Sequence, residues 1–177
     1  MKVIGFVGDS GSGKTTLVAA LIARFTRCGL RVAAIKHAHH GFDIDRPGKD
    51  SHRFRTAGAA QVLIASDARW VLMSEEPEGD PATALARQLA RLSPCDLVLV
   101  EGYRGQAGIP FIEVRRIPVD AGAAPQAARD APPGRIALAS DAALAPRHED
   151  AGLAVLDLND IEHIAGFIAQ RLEIALC

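Results

Sequence analysis

The sequence predicts an α/β fold in three layers: a mostly parallel, twisted sheet with helices on both faces, plus an antiparallel hairpin at about residues 62–73. Three observations predict it. Five apolar runs are nearly continuous rather than alternating, as strands are when helices cover both faces of a parallel sheet. Segments of helical periodicity fill the gaps between them. The first run ends in a glycine-rich turn that opens the first helix.

The five runs are "VIGFV", "RVAAI", "DLVLV", "RIALA" and "LAVLDL". From Lys14, the positions Leu17, Val18, Leu21, Ile22 and Phe25 make one apolar stripe, which predicts a helix. A second helix is expected from "GKDSHRFRTAGA", with Asp50 or Ser51 as its cap, Arg53 facing back toward the preceding loop and His52 on the surface. "QVLIASDARWVLMS" holds two β-rich runs about a short turn, which predicts the hairpin, attached to the parallel sheet. "DPATALARQLARL" is a third helix, with Asp80 as N-cap and Pro81 in the first helical position. In "NDIEHIAGFIAQRL", Asn159 and Glu162 approach a capping box, and Ile161, Ile164, Ile168 and Leu172 share a face. Strands alternating with helices imply right-handed crossovers. The chain is expected to be a single domain over residues 1–177, with a flexible Ala/Pro-rich loop at about 118–134.

Composition narrows the function classes. A formal net charge of −1 provides no global field for nucleic acid or an anionic membrane, so any anion site must be built locally. The opening "MKVIGFVG" is too short for a signal peptide, and no segment approaches membrane-spanning length. Cys28, Cys95 and Cys177 are odd in number and lack short spacing, which predicts three reduced thiols in a cytoplasmic protein rather than a disulfide framework or a zinc site.

The turn after the first run is Gly8-Asp9-Ser10-Gly11-Ser12-Gly13-Lys14-Thr15, a full match to G-x-x-x-x-G-K-[ST] between a strand and an amphipathic helix. Its glycines let backbone N–H groups turn inward as a nest, and the helix N-terminus adds its positive dipole end. Lys14 is expected at the β- and γ-phosphates, the Thr15 hydroxyl on Mg²⁺ and Thr16 at the α-phosphate. A bare strand-to-helix turn needs no lysine and no threonine pair at these offsets. The fold is therefore expected to be that of a phosphate-loop NTPase.

Such a loop needs an acidic partner, and "CDLVLVEGYRG" places Glu101 at the carboxyl edge of its strand. An aspartate is usual there. The extra methylene of Glu101 could move the contact from the metal to a metal-bound water. Lys14 and Glu101 are the expected catalytic residues, and Thr15, Asp50 and Glu101 the expected metal or water holders. Asp96, before the strand, reads as a turn residue.

"IKHAHHGFDIDRPGKDS" leaves the sheet at the same edge. His37, His39 and His40 with Asp43 and Asp45 could ligate a transition metal. The same residues could form a switch-like loop closing on phosphate, Mg²⁺ or a second anion, with Lys36 and His37 as contacts, or a solvated loop. Arg104 could reach a second anionic ligand or stand exposed. "LASD" puts Ser140 and Asp141 where a base reader would sit, or simply at a strand-end turn.

Taken in order and spacing, "GDSGSGKTTL", "IKHAHHGFDIDRPGKDSHRFRTAGA" and "LVLVEGYR" closely resemble the molybdopterin-guanine dinucleotide biosynthesis adaptor (MobB) family. The resemblance runs from about Met1 to Glu113, resumes at "IALASD" and "LDLNDIEHIAGFI", and leaves the Ala/Pro-rich loop uncovered. It implies a homodimeric protein that binds GTP and Mg²⁺, hydrolyses GTP weakly and assists the guanylyltransferase that joins GMP to molybdopterin. Contact with molybdopterin or its guanine dinucleotide would fit that role. More distantly, "IKH", "KDS" and "VEG" resemble dethiobiotin synthetase, which implies active-site roles for Lys36, Asp50 and Glu101. The chain lacks the N-K-x-D base-reading motif, so guanine preference follows from the resemblance. Two other functions share the phosphate loop: a small-molecule kinase or ATP-dependent ligase, and a metal-delivery GTPase that uses the histidines.

Overall fold

The computed structural model describes residues 1–38, 44–75, 81–103, 108–116, 133–141 and 152–177, with the side chains of 81 and 82 left aside. These form two compact units, one of Met1–His37 with Pro81–Cys177 and one of Ala38–Asp80. Asp80, and nearly all of the Ala/Pro-rich loop, lie outside the described residues.

In the first unit, β1 (Lys2–Val7), β2 (Val32–Lys36), β5 (Leu97–Glu101), β6 (Phe111–Arg115), β7 (Arg135–Ser140) and β8 (Ala154–Asp157) form one sheet. Its order is β2-β5-β1-β6-β7-β8, and every neighbouring pair is parallel. The expected strands all form, and β5 stands between β1 and β2. Alternate residues of each strand face opposite layers. Ile4, Phe6, Leu97, Leu99 and Ile112 pack with α1 (Lys14–Arg27) and α4 (Ile161–Leu172), while Val98 and Val100 pack with Leu85 of α3 (Pro81–Leu89). Three layers result. The stripes predicted for α1 and α4 point inward, with Leu21, Phe25, Ile164 and Ile168 fully buried.

The strand that the apolar-run reading omitted is β6, "FIEVR", because Glu113 and Arg115 interrupt its apolar side chains. Those charges belong to a partly buried cluster. Glu113 accepts from Arg115 at 3.0 and 3.1 Å and from Arg135 at 2.7 Å, and the Arg135 side chain is only 3% exposed. Burial pushes the Glu113 carboxyl up, but the hydrogen bonds from Arg115 and Arg135 outweigh it and hold the group below its ordinary range.

The second unit holds α2 (Asp50–Thr56), β3 (Gln61–Ala65) and β4 (Trp70–Ser74). β3 and β4 pair antiparallel from Gln61–Ser74 to Ala65–Trp70, as the hairpin pattern predicts. They form a two-stranded sheet of their own and are not attached to the parallel sheet, which corrects that expectation. The cap of α2 is Lys49 rather than Asp50 or Ser51. Asp45, whose side chain is 3% exposed, instead fixes the entry to this helix, accepting from Arg46 N–H at 3.0 Å and Ser51 Oγ at 2.8 Å and facing Arg55 at 3.8 Å.

Two further expectations change. Asp160, not Asn159, caps α4, its carboxylate accepting from His163 N–H at 2.9 Å. The cysteines are not three separate thiols, since Cys28 and Cys177 form a disulfide across 149 residues and Cys95 remains free. Spacing could not foretell this. The packing of α4 on α1 brings the two sulfurs together, and Arg24, bonded to Glu162 at 2.6 Å, lies beside them.

Candidate functional site

The Gly8–Thr15 turn leaves β1 at the carboxyl edge of the sheet and becomes the first turn of α1, with Gly13 as its N-cap at φ 95°. Few side chains adopt that backbone conformation, and Gly13 needs it to start the helix directly from the loop. Lys14 curls over the turn, its Nζ donating to the carbonyls of Gly8 at 2.9 Å and Asp9 at 2.6 Å and reaching Ser12 Oγ at 3.4 Å. Ser12 is buried and donates its backbone N–H to Asp9 O, which closes the loop, while Ser10 and Gly11 of the loop and Thr16 of α1 are exposed.

β5 brings Glu101 to the same edge. The Thr15 hydroxyl lies 2.9 and 3.0 Å from the two Glu101 carboxylate oxygens, and Lys36 Nζ stands 3.4 Å from Glu101 Oε1 and 3.5 Å from Thr15 Oγ1. Phosphate-loop lysine, threonine, acidic partner and the Lys36 that ends β2 therefore converge, as parallel register requires: Phe6 pairs with Glu101, and Glu101 with Lys36. The donor set fits Mg²⁺. Thr15 and Glu101 are oxygen donors of the kind Mg²⁺ takes, and here the hydroxyl donates a hydrogen bond to the carboxylate.

His37 continues from β2, donating its backbone N–H to Glu101 O at 2.8 Å, and its ring lies 4.3 Å from that of buried Tyr103. Gly102 makes this possible. Its φ is 101°, and a β-carbon there would lie 2.8 Å from His37 Cβ.

Asp141 follows β7 and pairs with Arg116, the residue after β6, at 2.9 Å. Arg116 borders the loop, for a β-carbon on Gly13 would lie 3.6 Å from its Nη2. Sequence reasoning singled out neither Arg116 nor Tyr103. Recognising β6 as a strand would have pointed to Arg116, the first residue beyond its carboxyl end.

Asp50 belongs to the second unit, where its exposed carboxylate stands 3.9 Å from Arg53. Arg53 thus turns to its own helix. His39, His40, Asp43 and Arg104 lie outside the described residues. Among the described residues, no group of three or more His, Cys, Asp or Glu side chains is arranged to hold a metal ion.

A parallel sheet with this turn at the end of β1 and a carboxylate at the end of its neighbour has the phosphate-loop NTPase fold. The family model described as molybdopterin guanine dinucleotide synthesis protein B matches residues 3–141. The chain is 37% identical over 177 residues to the molybdopterin-guanine dinucleotide biosynthesis adapter protein of Escherichia coli (strain K12), covering 98% of this chain and 94% of that protein. The protein of the same name from Haemophilus influenzae is 45% identical over 116 residues, with 66% and 64% covered. The fold is similar to a crystal structure of molybdopterin-guanine biosynthesis protein B, with a TM-score of 0.67 at 24% identity over 96% of this chain and 99% of that one. Bacillus subtilis MobB gives a TM-score of 0.69 at 20% identity, with 97% and 98% covered. The chain belongs to the MobB family.

Proposed function

We propose that this chain is a GTP-binding adaptor with slow intrinsic GTPase activity in molybdopterin-guanine dinucleotide biosynthesis, assisting the guanylyltransferase that joins GMP to molybdopterin. The Thr15–Glu101 contact beside Lys14 supports this reading most directly. The loop N–H groups, the α1 N-terminus and Lys14 hold the β- and γ-phosphates. Thr15 and Glu101 hold Mg²⁺, which when bound neutralises charge on the γ-phosphoryl. Lys36 adds a second positive charge, and His37 links this edge to Tyr103. Glu101, beside Thr15 and Lys36, is placed to hold Mg²⁺ or its water shell rather than to take a proton from the attacking water. Slow hydrolysis follows.

The adaptor acts in the cytoplasm as a homodimer, and its partners are the guanylyltransferase and molybdopterin or its guanine dinucleotide. The family membership supports these partners. An exposed apolar hairpin face, formed by Leu63, Trp70 and Leu72, is the surface offered for the second copy. Among the described residues, no helix is long and apolar enough to cross a membrane.

The test is Lys14→Ala. GTP binding should be lost while the circular dichroism spectrum and melting temperature stay unchanged. Unaltered GTP affinity in that variant overturns the site. Transfer of the γ-phosphoryl to a small acceptor at about 1–100 s⁻¹ would replace the adaptor with a kinase.

A further inference from the structure

Three neighbouring strands end in step on the flank of the loop away from Glu101. Arg115 of β6 pairs with Ser140 of β7, and Ser140 with Asp157 of β8. The next residue on each strand is Arg116, Asp141 or Leu158, and the ladder fixes all three positions. Leu158 N–H donates to Ser140 O at 2.8 Å, and a β-carbon on Gly13 would lie 3.4 Å from Leu158 Cδ2 and 3.6 Å from Arg116 Nη2. Buried Leu158 and half-exposed Arg116 thus wall the loop at the N-cap of α1, and Arg116 Nε holds Asp141 Oδ2 at 2.9 Å.

The opposite flank carries the Thr15–Glu101–Lys36 group, which on the functional reading above takes the metal and the terminal phosphates. The nucleoside end of a wrapped triphosphate must then leave toward β6 and β7. A carboxylate alone on this flank would repel the phosphates. Paired with Arg116, it need not.

We infer that Arg116 is a specificity-determining residue that reads the guanine base together with Asp141. Guanine carries acceptors O6 and N7 on one edge and donors N1–H and N2–H₂ beside them. An arginine fork donates to the first pair, and a carboxylate accepts from the second. Adenine puts an amino group in place of O6 and an acceptor at N1, so it opposes both charges. The pair supplies what the missing N-K-x-D motif would otherwise provide. Arg116 also keeps the Asp141 carboxylate aimed at the base, so the two act as one reader. The inference rests on the nucleotide-site reading but adds a residue and a base chemistry to it.

The full chain is titrated with the Mg²⁺ complexes of GTP, ATP and 7-deaza-GTP, alongside the Lys14→Ala, Arg116→Gln and Arg116→Lys variants, with melting temperatures confirming that each is folded. The unsubstituted chain should prefer GTP to ATP and to 7-deaza-GTP, which lacks the N7 acceptor. Arg116→Gln should lose roughly tenfold in GTP affinity, with ATP affinity changed far less, and should no longer distinguish 7-deaza-GTP from GTP. Arg116→Lys keeps the charge without the fork, so it should also lose the 7-deaza discrimination. GTP affinity unchanged in Arg116→Gln, or GTP and ATP weakened by the same factor, overturns the inference and leaves the nucleotide site standing. So does equal binding of GTP and ATP by the unsubstituted chain. Failure of that chain to bind any triphosphate, or full binding by Lys14→Ala, overturns the nucleotide site and this inference with it.

Discussion

Gly102 is set by one close approach: with φ at 101° and His37 Cβ only 2.8 Å from where its own β-carbon would lie, it has room for hydrogen alone. Gly102→Ala should therefore cost about 2 kcal/mol, from backbone strain and displacement of His37. A denaturant midpoint equal to that of the unsubstituted chain would show that the turn relaxes freely. Glu113 is a second such residue. Its hydrogen bonds from Arg115 and Arg135 lower its folded pKa, so the unfolded chain binds the proton more readily. Its contribution to stability is present above the ordinary glutamate value and is lost as pH falls through the folded value. Glu113→Gln should destabilise the protein by about 3 kcal/mol at neutral pH, because buried Arg135 loses this carboxylate. The deficit should shrink in acid, and melting temperatures measured across that range would show it. A pH-independent deficit would mean that the charge contributes nothing.

At the scale of elements, the hairpin has one face that the second unit leaves open. Leu63 and Leu72 pair across it, with Ala65 and Trp70 next along the same side, and Trp70 is 66% exposed. Exposed apolar area of this kind favours association. Replacing Leu63 and Trp70 with serine should weaken dimerisation at least tenfold in sedimentation equilibrium while sparing GTP affinity. An undiminished dimer would place the interface elsewhere. The hairpin itself was legible because its two β-rich runs flank a short polar turn. β6 was not, because two of its five residues, Glu113 and Arg115, are charged, and the second arginine that holds Glu113 comes from β7, 22 residues further on.

Across the whole molecule, the Cys28–Cys177 bond closes a loop of 149 residues, which in the chain-entropy account stabilises the fold by about 2–5 kcal/mol. Reduction should lower the melting temperature, and thiol titration should rise from one reactive group, Cys95, to three. An identical melt with and without reductant would remove the bond from the stability of the fold. The α1–α4 core, with Phe25, Ile164 and Ile168 fully buried, should keep the reduced chain folded. By itself, the sequence determined the strand–helix alternation, the phosphate loop and the rim on which Glu101 emerges, because these follow from periodicity and from residues adjacent in the chain. The tertiary structure alone decided the Cys28–Cys177 pairing, the Arg135–Glu113 cluster and the meeting of Arg116 with Asp141. Each joins residues from separate elements, and only the register of the parallel ladder and the packing of helices upon it bring them within bonding distance.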